Sequence, residues 1–283
     1  MNPTSPARST APYAVTTTGR HNTSGTRRPA STGPLGPAGT PAGSRPALLN
    51  LCCCAGASCF GYELSGFEVW GVDIQPQPHY VRPERFIQAD ALDVLADQTF
   101  MARFAAVHAS PPCQAHSPLN AYNKREYPRL IEPIRDLLRR YQMPYVIENV
   151  PGAPLRSPIL LCGYMFPGLM VERHRLFEVG RFRIRQPRHP RHTMKCTRNG
   201  YLPSPSAPLM SIHGGKHSRA WQRKACEVMG TPWLAVPVDA DAARTQAGIR
   251  EVCEAIPPVY ARWIGDRVMD EVLAAASLSG GES

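Results

Sequence analysis

Long apolar runs and an apolar N-terminal segment are both missing from this chain of 283 residues. A helix that spans a bilayer needs roughly 20 consecutive apolar residues, and no stretch approaches that length. We therefore do not expect an integral membrane protein. Because the N-terminus lacks an apolar core segment, we also expect no signal peptide, a cytoplasmic location and reduced thiols for the nine cysteines.

Acidic residues are absent from residues 1–46, which carry five arginines and a net charge of +5. This tail is rich in Pro, Ser, Thr, Gly and Ala and poor in large apolar residues. We expect it to be disordered, since it cannot offset the entropy lost on ordering. It is either an electrostatic tether to nucleic acid or an extension without a role, and we favour the extension.

The remaining positive charge is concentrated in residues 181–230, which hold 11 basic residues and a single acid. Residues 47–180 are almost neutral, and residues 231–283 carry an excess of acids. A basic segment in an otherwise balanced domain suits a polyphosphate partner. The alternative is a solvated surface with no partner, and we favour nucleic acid.

Short apolar runs alternate with helical patterns in the first half of the chain. The runs predict five buried strands, and apolar spacing predicts a helix over residues 129–141. Such alternation favours an α/β fold with a parallel sheet, whose functional groups lie at the carboxyl ends of the strands. The predicted strands cover residues 47–53, 68–72, 86–89, 104–109 and 145–148. Further helices are predicted over residues 218–229, 248–255 and 259–276.

Two reactive side chains follow predicted strands. Cys113 lies in the sequence SPPCQ, where two prolines would hold it rigid and exposed, so its thiolate could be a nucleophile. A buried structural cysteine is the alternative, and the polar residues after Cys113 shift the balance towards catalysis. Glu148, in the sequence VIENV, ends a buried strand and could act as an acid with a raised pKa. A turn or cap role is about as probable for that dipeptide alone.

Two further segments could bind ligands. The small residues of LCCCAGASCFGY at 51–62, followed by Asp73, suit close approach of a ligand and an acid on ribose hydroxyls, although a GxGxxG pattern is absent. Arg173 and Arg175, in the sequence ERHRLFE, would share one face if that segment is extended and could contact a base or phosphate. A surface strand explains this second pattern equally well.

A zinc site is conceivable at His189, His192 and Cys196, whose spacing suits metal ligands. Because the sequence shows no fourth ligand, we predict no metal.

The order of these motifs resembles the DNA cytosine carbon-5 methyltransferase family, in particular its short phage-type members. The resemblance runs from about residue 48 to 265 and rests on four motifs: PPCQ at 111–114, ENV at 148–150, RHRLF at 173–177 and AIPPVYARWIG at 255–265. It implies a Rossmann-like S-adenosylmethionine-dependent methyltransferase fold with a small, irregular target-recognition region. The catalytic domain would be residues 47–180, the recognition region 181–230 and a closing helical segment 231–283.

The resemblance also implies a role for each matching residue. Cys113 resembles the nucleophile that adds to carbon-6 of a flipped cytosine, and Glu148 the acid at ring nitrogen 3. Arg175 and Arg173 would hold the base and its backbone, and Asn149 would support the Cys113 loop. The implied cofactor-binding residues are Ala55, Gly56, Ala57, Asp73, Ile74, Asp90 and Pro111. The implied substrate is double-stranded DNA, bound by a monomer in the cytoplasm of a bacterial or phage-infected cell.

Two other interpretations stay open. The same chemistry could act on RNA or a nucleotide, or could transfer a modified group. Alternatively, the chain could be an inactive nucleic-acid-binding homologue, because Cys52, Cys53 and Cys54 stand where the family usually has a phenylalanine and glycines.

Overall fold

A computed structural model describes residues 45–117 and 126–279. Residues 1–44 of the predicted disordered tail (residues 1–46) lie outside the described ranges. All nine cysteines lie inside them, and each is a free thiol. Within the described ranges, no helix combines the length and apolar character needed to cross a membrane.

One sheet of seven strands organises the molecule, in the spatial order β3-β2-β1-β4-β5-β7-β6. Neighbours among β1 to β5 run parallel, whereas β7 runs antiparallel to both β5 and β6. The strands are β1 (Ala47–Leu51), β2 (Glu68–Asp73), β3 (Phe86–Gln88), β4 (Ala106–Ala109), β5 (Tyr145–Asn149), β6 (Ile159–Leu161) and β7 (Arg175–Gly180). The prediction of five parallel strands is confirmed with shifts of one or two residues at their ends.

Within residues 45–117 and 126–279, seven α-helices connect or cover the strands. They are α1 (Ala57–Leu64), α2 (Ala91–Ala96), α3 (Gln98–Met101), α4 (Ile131–Leu138), α5 (Arg219–Met229), α6 (Ala242–Glu254) and α7 (Pro258–Ser279). The prediction over residues 129–141 is too long, since α4 covers only its middle. The prediction over 248–255 is too short: the side chain of Asp241 caps the first turn by accepting from the Arg244 amide, and α6 begins earlier.

Successive residues of the central strands pack into two separate hydrophobic cores, one on each face of the sheet. In β1, Leu48 packs beside α1 and α7, while Leu49 faces the side of α2 and α4. The same alternation separates Val146 from Ile147 in β5. These are continuous apolar runs because both faces are covered, as expected for a parallel sheet.

The strand order reverses between β1 and β4. In open α/β sheets, ligands bind beyond the carboxyl ends of the strands at this switch point. The loops that follow β1, β2, β4 and β5 therefore meet at one edge, which we call the carboxyl edge.

The chain between β7 and α5 is irregular. Residues 181–218 are all described, and they contain no helix or strand, only isolated bridges such as Cys196 with Leu209. The segment begins at the opposite edge of the sheet, where Arg181 donates to the carbonyls of Arg139 and Tyr141. It then runs back along β6, where the Gln186 side chain pairs with the Leu160 backbone. The basic residues of this segment are therefore spread over both edges.

Candidate active site

A pocket of about 320 Å³ opens at the carboxyl edge. Its wall combines the loops after β1, β2, β3, β4 and β5 with the start of β7 and the end of α6. Most of the predicted site residues line it: Ala55, Ala57, Asp73, Ile74, Asp90, Pro111, Cys113, Glu148 and Arg175. Gly56, Asn149 and Arg173 lie outside the lining.

Cys113 follows β4 on the rigid Pro111–Pro112 turn and is half-buried. Burial raises the pKa of the Cys113 thiol, and the charge of Glu148 adds to this shift. The guanidinium groups of Arg175 and Arg173 lower it and so favour the thiolate. The cysteine is therefore kept as a thiol whose ionisation depends on the charges around it.

Glu148 lies near the end of β5 with only 6% of its surface exposed. Burial raises the pKa of its carboxyl group, against the lowering effect of Arg175, Arg173 and a hydrogen bond from Ser110. Arg175 Nε lies 3.1 Å from Glu148 Oε1 and forms an ion pair with it. Burial therefore favours the protonated acid, which could donate to a ligand, whereas Arg175 favours the carboxylate.

A buried polar chain that the sequence did not reveal runs behind this carboxylate. The Tyr62 hydroxyl lies 2.9 Å from His108 Nδ1, and His108 Nε2 lies 2.8 Å from Ser110 Oγ. Burial lowers the pKa of His108 to about 3, so the imidazole is neutral. The signal that could have found it is a histidine in an otherwise apolar buried strand, since such a residue needs a partner.

The two arginines of the RHR sequence point in different directions. Arg175 begins β7 and faces the pocket, whereas Arg173 precedes the strand and is buried behind it. Arg173 donates to the carbonyls of Ile212 and Cys253. The condition for a shared face, a strand that includes both residues, is not met, because β7 begins only at Arg175. The charge of Arg173 nevertheless lowers the pKa values of Cys113 and Glu148. Arg173 also ties the segment after β7 to α6.

Asn149 supports the cysteine turn from below. Its Nδ2 donates to the carbonyl of Pro111 at 2.9 Å, which links the end of β5 to the turn after β4. The prediction that it contacts the Cys113 loop agrees with this geometry.

The loop between β1 and α1 has an unusual backbone. Cys52, Cys54 and Gly56 all have positive φ, at 53°, 46° and 83°. The left-handed conformation costs a non-glycine residue roughly 1–2 kcal/mol. At Gly56, a Cβ would lie 2.7 Å from Val81 Cγ1, so this position requires glycine. The glycine shapes the loop and does not line the pocket.

Asp73 at the end of β2 fixes that loop. Its Oδ2 accepts from the Cys54 amide at 3.0 Å and its Oδ1 from the Gln75 amide at 2.9 Å. Each carboxylate oxygen keeps a free lone pair for a ligand hydroxyl. The next residue, Ile74, is 59% exposed and offers an apolar surface beside the carboxylate. Asp90 caps α2 through the Leu92 amide and also borders the pocket.

The charges of the pocket fit a cationic ligand. Among the described lining residues, five carboxyl groups accompany a single guanidinium, that of Arg175. Burial raises the pKa of two of them, Glu148 and Glu254, and so reduces the negative charge. The carboxylates include Glu251 and Glu254 at the end of α6, which sequence reasoning missed because only the fold brings α6 to this edge. A cationic ligand that carries hydroxyl groups and an aromatic ring would fit this donor set.

No model of a known protein family and no curated protein sequence matches this chain. Solved structures do. One is described as a DNA modification methyltransferase encoded within a prophage of E. coli, with 14% identity, a TM-score of 0.55 and coverage of 81% of this chain and 99% of that one. The S. pombe Dnmt2 methyltransferase has 11% identity, a TM-score of 0.54 and coverage of 81% and 99%.

A third structure, a mutant of the Spodoptera frugiperda DNMT2, gives 11% identity, a TM-score of 0.54 and coverage of 79% and 99%. At such identities the likeness bears on the fold alone. Together with the seven-stranded sheet, it shows that this chain has the Rossmann-like fold of S-adenosylmethionine-dependent methyltransferases.

Proposed function

We propose that this protein is an S-adenosylmethionine-dependent DNA (cytosine-5) methyltransferase that acts on a flipped cytosine. One observation carries the proposal: Cys113, Glu148 and Arg175 line a single pocket at the switch point of a methyltransferase fold. A soft nucleophile and a buried acid in one cavity are what this reaction requires.

The chemistry explains that requirement. Carbon-5 of cytosine is a poor nucleophile until carbon-6 carries an added group. Cys113 Sγ would form a bond to carbon-6 while ring nitrogen 3 takes a proton from Glu148, so the displaced π electrons make carbon-5 electron-rich. Carbon-5 then accepts the methyl group, and a base removes the carbon-5 proton. The electrons of that carbon–hydrogen bond re-form the double bond between carbon-5 and carbon-6, the sulfur–carbon bond breaks, the thiolate leaves and nitrogen 3 returns its proton to Glu148.

The surroundings of Glu148 suit an acid that must be both protonated and oriented. Burial favours the protonated carboxyl group, and the contact from Arg175 Nε fixes one of its oxygens. The chain from Tyr62 through His108 to Ser110 adds a further hydrogen bond to this carboxyl group. These contacts cost no reorganisation when the base enters, so they preorganise the acid.

The cofactor would occupy the half of the pocket next to β1, β2 and β3. There Asp73 is suited to ribose hydroxyls, and Ile74 and Asp90 to the adenine side. Ala55 and Ala57 leave room for the methionine end, beside the carboxylate of Glu254. When bound, the sulfonium supplies an electrophilic methyl group.

Double-stranded DNA is the proposed substrate, bound by a monomer. A base in a duplex must be flipped out, at a cost of a few kcal/mol in stacking and pairing. Contacts from basic residues to phosphates offset that cost. Exposed cations of the irregular segment, such as Arg188, Arg191 and Lys195, are candidates for those contacts.

Covalent trapping tests the proposal. A duplex that contains 5-fluorocytosine should form an adduct in the presence of S-adenosylmethionine, because fluorine cannot leave as a proton does. Tandem mass spectrometry should place the adduct on Cys113. Cys113→Ala should lose the adduct and still bind DNA, and Cys196→Ser should keep both.

Two results would count against it. If the wild-type protein binds DNA and cofactor but forms no adduct, the protein is a binding homologue without this activity. If the adduct forms with 5-fluorocytidine RNA and not with DNA, the chemistry stands and the substrate assignment fails.

A further inference from the structure

Four potential metal ligands converge beside the edge strand β6, away from the pocket. Cys162 directly follows β6, His174 directly precedes β7, and His189 and His192 come from the irregular segment. Their ligand atoms all lie within 4.8 Å of one another. Among the described residues, no other group of three or more His, Cys, Asp or Glu side chains is placed in this way.

The distances match a tetrahedral site. Cys162 Sγ lies 3.3 Å from His192 Nε2, and the Nε2 atoms of His174 and His189 lie 3.2 Å apart. Zinc bonds of 2.0–2.1 Å to nitrogen and 2.3 Å to sulfur would separate the ligand atoms in a tetrahedron by about 3.3–3.6 Å. The cluster is therefore close to the size that a zinc ion needs.

A supporting shell orients His192. Its Nε2 faces Cys162, and its Nδ1 lies 3.2 Å from Glu172 Oε1. A carboxylate on the far nitrogen is the usual device that fixes the tautomer and direction of a metal-binding histidine. The Tyr164 ring stacks on the same imidazole with ring centroids 4.1 Å apart. The Tyr164 hydroxyl donates to the Met194 carbonyl and accepts from the Met194 amide.

We propose that Cys162, His174, His189 and His192 form a structural zinc site. One thiolate and three imidazoles suit zinc and offer none of the oxygen ligands that calcium and magnesium prefer. Four protein ligands leave no open position, which is the arrangement of structural sites rather than catalytic ones.

The site differs from the set that spacing alone suggested. His189 and His192 belong to it, but Cys196 does not: its Sγ donates to Glu172 Oε2 at 3.2 Å. The other two ligands, Cys162 and His174, lie 15 or more positions upstream of the histidines that they meet and are brought in by β6 and β7.

The proposed zinc would have a defined structural task. It would tie residues 189–192 of the irregular segment to the end of β6 and the start of β7. His174 is the residue between Arg173 and Arg175, so the metal would also fix the backbone that presents Arg175 to Glu148. The exposed side chains of Arg188 and Arg191 would then be held at the carboxyl edge.

Metal analysis of the full chain, purified without a histidine tag, tests this site. We expect about one zinc ion per chain. Replacement of zinc by cobalt should give the ligand-field spectrum of a tetrahedral site and a sulfur-to-cobalt charge-transfer band. His189→Gln, which changes an exposed ligand and so spares the core, should weaken zinc binding in chelator competition by more than the roughly 10- to 100-fold expected from a supporting residue.

Matched variants decide the ligand set. Cys162→Ser should lose the charge-transfer band, whereas Cys196→Ser and the exposed His79→Gln should bind zinc as the wild type does. Glu172→Gln should weaken binding by about 10- to 100-fold. A folded wild-type chain that holds no zinc and shows no tetrahedral cobalt spectrum would overturn the proposal, as would an unchanged charge-transfer band in Cys162→Ser.

Discussion

The sheet and the irregular segment of residues 181–218 are held in place in different ways. Sheet topology alone brings Asp73, Cys113 and Glu148 to one edge, since each follows or ends a strand next to the switch point. The irregular segment has no such frame and is held by side-chain contacts, among them those of Arg173 and the cysteine–histidine cluster. Reactive groups are placed by backbone order, and the basic surface by long-range side-chain contacts.

Glu148→Gln should have the largest effect. The amide keeps the shape of the side chain but cannot donate the carboxyl proton, so methyl transfer should fall by about 10²- to 10⁴-fold. DNA affinity should stay near the wild-type value if binding belongs to the irregular segment. Single-turnover kinetics and equilibrium binding separate the two, and Glu271→Gln on the exposed face of α7 is the control. Equal losses in methyl transfer and in DNA affinity would show that catalysis and DNA binding are not divided between the sheet and the irregular segment.

Glu178→Ala should be the most damaging change to the stability of the sheet. Glu178 in β7 accepts two hydrogen bonds of 2.7 Å from Arg135 in α4, and both side chains are buried. Without Glu178, the buried Arg135 guanidinium keeps only its ion pair with the exposed Glu132 and its bond to the Pro154 carbonyl. We expect a cost of about 3 kcal/mol in the free energy of unfolding, the lower end of the range for breaking a buried pair.

Chemical denaturation measures this cost. The matched control is Glu227→Gln, which breaks an exposed ion pair with Lys224 and should change stability by about 1 kcal/mol or less. Similar losses in the two variants would show that the buried pair does not hold the strands.

The pH dependence of adduct formation should report the pair Cys113 and Glu148. Burial raises the pKa of both groups. Between the two pKa values, the thiolate fraction of Cys113 rises with pH as fast as the protonated fraction of Glu148 falls, so the population that holds both forms stays nearly constant. In Glu148→Gln only the thiolate fraction matters, and the rate should rise about tenfold per pH unit up to the pKa of Cys113. The shift of Cys113 also depends on Arg175 and Arg173. Parallel profiles for the two proteins would argue against Glu148 as the acid.

The smallest effect is expected from the double change Arg188→Gln and Arg191→Gln. Each phosphate contact contributes about −0.9 to the slope of log affinity against log salt, so the slope should become shallower by about 1.8. Arg139→Gln with Arg140→Gln is the matched control, because these exposed residues follow α4 at the opposite edge. The same slope change in the control would show that DNA does not prefer the surface of Arg188 and Arg191 over the opposite edge.

The sequence predicted the parallel strands β1 to β5 better than the strands β6 and β7 that extend the sheet. Apolar runs located β1, β2 and β5, because strands covered on both faces need no polar residues. It missed β6 as a strand, since no helix separates β6 from β5 and the prediction relied on alternating strands and helices. It left β7 undecided, because Arg175 and Glu178 in that strand look like surface residues until α4 and β5 supply their partners.

Groups far apart in the chain were beyond sequence reasoning. The link from His108 to Ser110 is local, but its continuation to Tyr62 crosses 46 positions. Cys162 meets His192 across 30 positions. Such contacts depend on the packing of edge strands and loops, for which residue spacing carries no signal.

Transfer of a deuterium-labelled methyl group from S-adenosylmethionine to duplex DNA, read by mass spectrometry of the released nucleosides, tests the central claim most directly. The account predicts labelled 5-methylcytosine with the wild-type protein and none with Cys113→Ala. It would be contradicted if the wild type binds both ligands yet leaves cytosine unlabelled, or if Cys113→Ala labels it equally well.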